Sequence, residues 1–295
     1  MLWVVTTLIA SAAQTGRNVA QSGLTKTIGT LGATQVRFLF GLPFALIFLA
    51  LVPWVTGEAI PMPGLRALLF TASGALTQIA ATALMLVTMK SQNFAVTTAW
   101  LKTEAVIVAL ASALILGDPL SGAMLAAIAV ATSGVLIMTI RPGTRGWGNA
   151  SAALTGLSAA GLFGASAIGF RGGILALPSG GYLTRATTLL ALSLALQTAL
   201  LLVWLALFNR SALTASFKVW RASLLAGFLG AFASEFWFLG FSMTAAANVR
   251  TLALVEVILA TGVSRFWLGQ KITRRQLWGM AVVVIGVAVL LRLDL

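Results

Sequence analysis

The sequence predicts an all-α integral membrane protein, with ten transmembrane helices arranged as two inverted five-helix repeats. Three observations carry that expectation. Of 295 residues only 25 are charged, 19 basic and 6 acidic, while 59% are apolar and the mean hydropathy is +1.01. Soluble domains carry roughly 25% charged and 45–50% apolar residues, so too few charges are present to cover a water-facing surface. The apolar residues also come in continuous runs of about 20, the length that spans a hydrocarbon core of about 30 Å as a helix. These runs lack the alternation of barrel strands. Finally, a shift of 152 residues superposes Glu104 on Glu256, Gly117 on Gly269 and Gly134 on Gly286. The Glu match is the informative one, because the chain has 29 Gly but only four Glu. Five helices per copy is an odd number, so the second copy must lie inverted, over residues 147–295 against 1–146.

Taken in order, the expected helices cover residues 2–19, 33–52, 65–87, 95–116, 122–140, 150–170, 182–207, 223–241, 249–268 and 277–291. The first carries Gln14, Arg17, Asn18 and Gln21 at i, i+3, i+4 and i+7, one polar stripe. An N-terminal signal peptide is not expected, since no basic segment precedes the apolar start and the stripe begins at Gln14. The second contains Pro43, a place to bend. The third repeats the stripe with Gly74, Thr77, Gln78 and Ala81. On the fourth, Asn93, Thr97, Trp100 and Glu104 share a face, while Lys102 lies about 200° around from Glu104 and is not expected in the same cavity. A turn, Leu116-Gly117-Asp118-Pro119-Leu120, leads tightly into the fifth. The sixth bears Gly161, Gly164, Ala165, Gly169 and Gly172 on a face suited to close packing, and the seventh is an apolar span. The eighth carries Gly227, Ala231, Ser234, Glu235, Trp237, Phe238, Phe241 and Ser242, and the ninth brings Asn248 within about 80° of Glu256. The tenth closes the second copy with Gly286.

Absences narrow function. Without Cys or His the chain forms no disulfide, no Cys/His metal or haem site and no Ser-His or Cys-His nucleophile. No phosphate-cradling Gly-rich loop or dinucleotide fingerprint occurs. No cofactor, metal, catalytic residue or enzymatic activity is expected. The net charge of +13 does not point to nucleic acid, because the bases are sparse rather than clustered. The connections after helices 1, 3, 5, 7 and 9 hold Lys26, Lys90, Arg141, Arg145, Arg210, Lys218, Arg221, Arg265, Lys271, Arg274 and Arg275, and no acid. The other side holds Arg66, Arg171, Arg185, Arg250 and Arg292 with Glu58, Asp118 and Asp294. By the positive-inside rule the first set is cytoplasmic and both termini are outside.

The stretch Glu104-Ala105-Val106, Leu116-Gly117-Asp118-Pro119-Leu120-Ser121 and Gly134-Val135-Leu136 resembles the end of a repeat in the drug/metabolite transporter superfamily, EamA-type. Its second copy is Glu256-Val257-Ile258, Leu268-Gly269-Gln270-Lys271-Ile272-Thr273 and Gly286-Val287. The family pattern has Pro after the Glu, where Ala105 and Val257 stand, and Glu in the turn, where Asp118 and Gln270 stand. The resemblance implies ten helices, transport, and both termini in the cytoplasm, against the charge count.

Ionisable groups at membrane depth are costly and normally face the bundle interior. The candidate substrate-binding set is therefore Gln14, Arg17, Asn18, Thr77, Gln78, Thr97, Trp100, Glu104, Glu235, Trp237, Asn248 and Glu256. Each has a plainer alternative: amides and hydroxyls hydrogen-bond neighbouring helices, and Glu104 and Glu256 pair with Arg, Lys or a helix end. Arg37, Arg171, Arg185 and Arg250 lie near helix ends and are expected to snorkel. A site pairing Arg17 with an acid or amide suits a substrate bearing both carboxylate and ammonium. The expected function is a secondary transporter exporting small polar metabolites, foremost amino acids, across a bacterial inner membrane by alternating access. Efflux of cationic drugs, carriage of anionic phosphorylated metabolites, and a channel or scaffold are the alternatives. The bilayer and a small polar metabolite are the expected partners, with no nucleic acid; a single chain suffices, and a homodimer is left open.

Overall fold

The protein is described by a computed structural model over residues 2–91, 94–139, 150–266 and 272–293. Among the described residues every regular element is helical. Its outer surface is apolar, with Trp54, Leu114 and Phe266 each at least 86% exposed, whereas Arg17, Arg37, Glu104 and Glu256 are at most 2% exposed. That inside-out distribution is the one a lipid solvent favours. Among the described residues six segments are long and apolar enough to cross a bilayer, and the first, Leu2–Thr56, is 55 residues long.

This first segment is not one rod. Helix α1 (Leu2–Leu39) is interrupted at Gly29, whose φ of 72° and ψ of 174° leave the helical region. The Gln21 amide donates to the Ala33 carbonyl at 2.9 Å; twelve residues of straight helix would separate them by about 18 Å. The chain therefore doubles back at Gly29. Its second arm ends at Leu39, and α2 (Leu42–Thr56) resumes after Gly41 with Pro43 in the first turn, where a missing N–H costs nothing. The bend expected at Pro43 is thus a break just before it.

The remaining elements are α3 (Leu65–Ser91), α4 (Phe94–Leu101), α5 (Glu104–Leu116), α6 (Gly122–Thr139), α7 (Ala150–Leu175), α8 (Tyr182–Phe208), α9 (Arg210–Lys218), α10 (Trp220–Met243), α11 (Ala246–Leu252), a 3₁₀ turn (Ala253–Val255), α12 (Glu256–Phe266) and α13 (Arg274–Leu293). The short α9 falls in a stretch read as loop. Asn209 caps it by accepting from the Ala212 N–H at 3.1 Å, and the Ser223 hydroxyl bonds the Ser216 carbonyl at 2.8 Å. Asn93, Arg141, Arg145, Lys271, the turn at 268–270 and Asp294 lie outside the described residues.

Packing follows the 152-residue shift. The α1–α10 contact maps onto α7–α3, α5–α11 onto α12–α4, and α6–α13 and α2–α8 onto themselves. With little hydrophobic drive between helices in lipid, close approach of small residues holds such contacts. A Cβ on Gly134 would lie 2.7 Å from the Gly279 oxygen and the Val283 nitrogen, and one on Gly286 would lie 2.5 Å from the Ala131 nitrogen. Residues 131 and 283 are themselves 152 apart, so both contacts are one contact written twice. On the predicted small-residue face, a Cβ on Gly169 would sit 2.7 Å from the Gly74 Cα, whereas one on Gly161 meets nothing within 4 Å.

Candidate functional site

Two helices are broken at equivalent points. Between α4 and α5 the Thr103 N–H bonds the Trp100 carbonyl, and the Ala105 N–H bonds the Lys102 carbonyl, at 3.2 and 3.3 Å. These i to i−3 bonds tighten residues 101–103 into a 3₁₀-like turn. A shift of 152 carries them onto the 3₁₀ turn Ala253–Val255. Glu104 and Glu256 each open the segment after the break, and α4 and α5 lie against α12 and α11.

Both carboxylates pair across the two halves of the chain. Arg250 Nη1 meets Glu104 Oε1 at 3.2 Å, and Lys102 Nζ meets Glu256 Oε2 at 3.0 Å. The Gln14 amide donates to both oxygens of Glu256 at 3.1 Å, and Trp237 Nε1 donates to Gln14 Oε1 at 3.0 Å. The Trp237 ring lies beneath two cations, 5.0 Å from the Arg250 guanidinium carbon and 5.9 Å from the Lys102 ammonium, each attracted by the ring face.

The expectation that Lys102 stands apart from Glu104 is overturned. It assumes an unbroken helix, and the turn at 101–103 lets Lys102 reach Glu256 while Glu104 reaches Arg250. Nor does Arg250 snorkel: it is 5% exposed, with its second aromatic contact 5.2 Å away on Phe241. Arg37 is likewise buried, donating from Nη1 to the Thr82 hydroxyl at 3.0 Å. Arg17 donates from Nε and Nη2 to Asn18 Oδ1 at 3.2 and 2.6 Å. A Cβ on Gly230 would lie 3.3 Å from Arg37 Cγ and 3.5 Å from Arg17 Cδ, so these side chains run side by side. Four buried cations, Arg17, Arg37, Lys102 and Arg250, thus face two carboxylates, an excess of two positive charges.

The remaining predicted residues scatter. Glu235 accepts from the Thr187 hydroxyl at 2.5 Å and pairs with no cation among the described residues. Gln78 accepts from Gln197 Nε2 at 2.9 Å, a helix-to-helix bond. Thr77 returns its hydroxyl to the Ser73 carbonyl of its own helix, and the Asn248 amide donates to the Thr244 hydroxyl at 3.0 Å. Thr97 is buried. Trp100 packs on α7, its Cε3 being 2.7 Å from a Cβ placed on Gly156. Sequence reasoning overlooked Thr187 and Gln197; polar residues inside the apolar run of α8 were the available signal.

Two further acids tie the halves together. Asp118 receives Arg171 through Nε at 2.7 Å and Nη2 at 2.5 Å, and the Ala246 N–H at 3.2 Å, while Arg171 also donates to the Phe241 carbonyl. Arg171 therefore does not snorkel either. Glu58, in the connection after α2, accepts from the Gly181 N–H at 2.8 Å and from the Thr184 hydroxyl at the start of α8. The Thr184 bond first, then the Gly181 bond, holds the Glu58 carboxyl below its usual range. Among the described residues no group of three or more acidic, His or Cys side chains comes together to hold a metal.

A multi-pass helical bundle with cross-paired charges buried where two broken helices meet defines a polytopic membrane protein with an internal polar centre. Residues 150–292 match the EamA-like transporter family, a family of membrane transporters in the drug/metabolite transporter superfamily. One solved crystal structure is similar over 98% of this chain and 99% of its own, with a TM-score of 0.68 and 17% identity, a likeness of fold. No curated protein matches the chain.

Proposed function

We propose that the chain is a secondary transporter of small polar metabolites bearing a carboxylate, amino acids foremost, exporting them across a bacterial inner membrane. Ten crossings in two inverted repeats, residues 1–146 and 147–295, alternate access around the site. The observation that carries this reading is the cross-paired centre. Glu104 with Arg250 and Glu256 with Lys102 each join one half to the other at a helix break, where inverted-repeat transporters bind substrate. The doubling-back at Gly29 and the packing that follows the 152-residue shift support the two-repeat arrangement.

The cation excess of the centre favours a substrate with an anionic group and disfavours a cationic drug, which would meet net repulsion in a low-dielectric site. It also gives specific support to a second reading, carriage of phosphorylated metabolites. Counterflow into proteoliposomes tests both. Internal unlabelled amino acid is expected to drive saturable uptake of labelled amino acid, and inorganic phosphate is expected not to compete. Phosphate competition moves the reading to phosphorylated substrates, and quaternary amines exchanging in their place refute both.

A further inference from the structure

We propose that Arg17 and Arg37 together form an oxyanion subsite that takes the carboxylate or phosphate head of the transported molecule. The inference rests on reading the buried centre as the transport site, and it names the group bound there and the two donors that bind it.

Both guanidiniums are among the most deeply buried side chains in the protein, 1% and 2% exposed. Neither forms an ion pair with an acid among the described residues. Glu256, the acid within electrostatic range of Arg17, is already held by Lys102 and Gln14. What the protein supplies instead is neutral: the Asn18 carbonyl oxygen for Arg17 and the Thr82 hydroxyl for Arg37. One buried nitrogen of each is left without an acceptor, Nη1 of Arg17 and Nε of Arg37.

A buried charge normally finds a counter-charge or loses its proton, and an orphaned donor forfeits its full desolvation energy. Two such groups lie side by side against Gly230, where their like charges repel. An arrangement that costs this much is relieved by a ligand that brings both missing acceptors at once. An oxyanion with two free oxygens does so, and Arg is the side chain whose planar fork matches that geometry. The two arginines come from successive arms of α1, joined by the reversal at Gly29. The subsite is therefore built within the first hairpin, with Gln14 and Glu256 one helical turn along, where the rest of the substrate lies.

The test is equilibrium binding to the purified full-length chain in detergent, read by calorimetry and by thermal stabilisation. Inorganic phosphate, acetate and succinate serve as separate probes. At least one is expected to bind saturably, and Arg17→Gln and Arg37→Gln are each expected to weaken it by about tenfold or more. Arg37→Lys keeps the buried charge, and with it the fold, but lacks the Nε donor; it is expected to show the same direction of loss. Phosphate binding alone marks a phosphate head, and acetate or succinate binding alone marks a carboxylate head. No binding by the wild type, or equal binding by wild type and Arg37→Lys, overturns the proposal. Exchange in vesicles that persists unchanged in these variants removes the subsite and leaves the transport reading standing. Arginine-dependent anion binding without any exchange does the reverse.

Discussion

At the scale of single residues, the weight falls on charges that cannot reach water. An exposed ion pair contributes about 0–1 kcal/mol, but removing one partner of a buried pair leaves an uncompensated charge and costs about 3–5 kcal/mol. Arg250→Gln, which strands Glu104, is expected to lower the thermal midpoint in detergent by far more than Arg210→Gln, whose Arg210 sits at the start of surface helix α9. The charge-swapped double variant Glu104→Arg with Arg250→Glu is expected to recover part of the loss; no recovery would show that the two groups do not act as a pair. Glu58 gives a pH-dependent counterpart. Its folded pKa is lowered by Thr184 and Gly181, so its contribution is full above the unfolded value of about 4.3 and vanishes as pH falls through the folded value. Wild type is expected to exceed Glu58→Gln in thermal midpoint at pH 7, with the gap closing below about pH 4. A gap that is constant with pH contradicts the bonding described.

At the scale of elements, what the sequence revealed depended on whether a residue's meaning was local. Runs of apolar residues, the stripe at Gln14, Arg17 and Asn18, and the paired glutamates were legible because helical period and spacing are local properties. The break at residues 101–103 was not, since Leu101, Lys102 and Thr103 carry no Gly or Pro to signal it, and Lys102 was misplaced for that reason. Arg37 and Arg250 read as snorkelling residues because nearness to a helix end is visible in sequence, whereas Thr82 and Glu104, their partners, come from other elements. Helix packing makes its own prediction. Gly134→Val and Gly286→Val push a side chain into backbone on the facing helix and are each expected to cost about 1–3 kcal/mol, by equal amounts if the two contacts are equivalent. Gly161→Ala, with nothing within 4 Å of its Cβ, is expected to be neutral in thermal unfolding.

At the scale of the whole molecule, sorting charges by burial sharpens the topology. Arg171 and Arg250 are buried in ion pairs, so the acid-bearing side keeps only Arg66, Arg185 and Arg292 outside those pairs, against eleven bases opposite. The positive-inside rule then predicts an external α2–α3 connection and a cytoplasmic α9. With no native Cys, single cysteines at Trp54 and Phe217, both exposed, report this directly. Trp54→Cys is expected to react with an impermeant thiol reagent in intact cells and Phe217→Cys only after permeabilisation; the opposite pattern puts the termini in the cytoplasm. The central claim is that the cross-paired centre at the two helix breaks is where substrate is carried. Counterflow of labelled amino acid in proteoliposomes containing wild type, Glu256→Gln or Arg210→Gln tests it most directly. Saturable exchange that is lost in Glu256→Gln and retained in Arg210→Gln is the expected result, and exchange that Glu256→Gln leaves intact would contradict it.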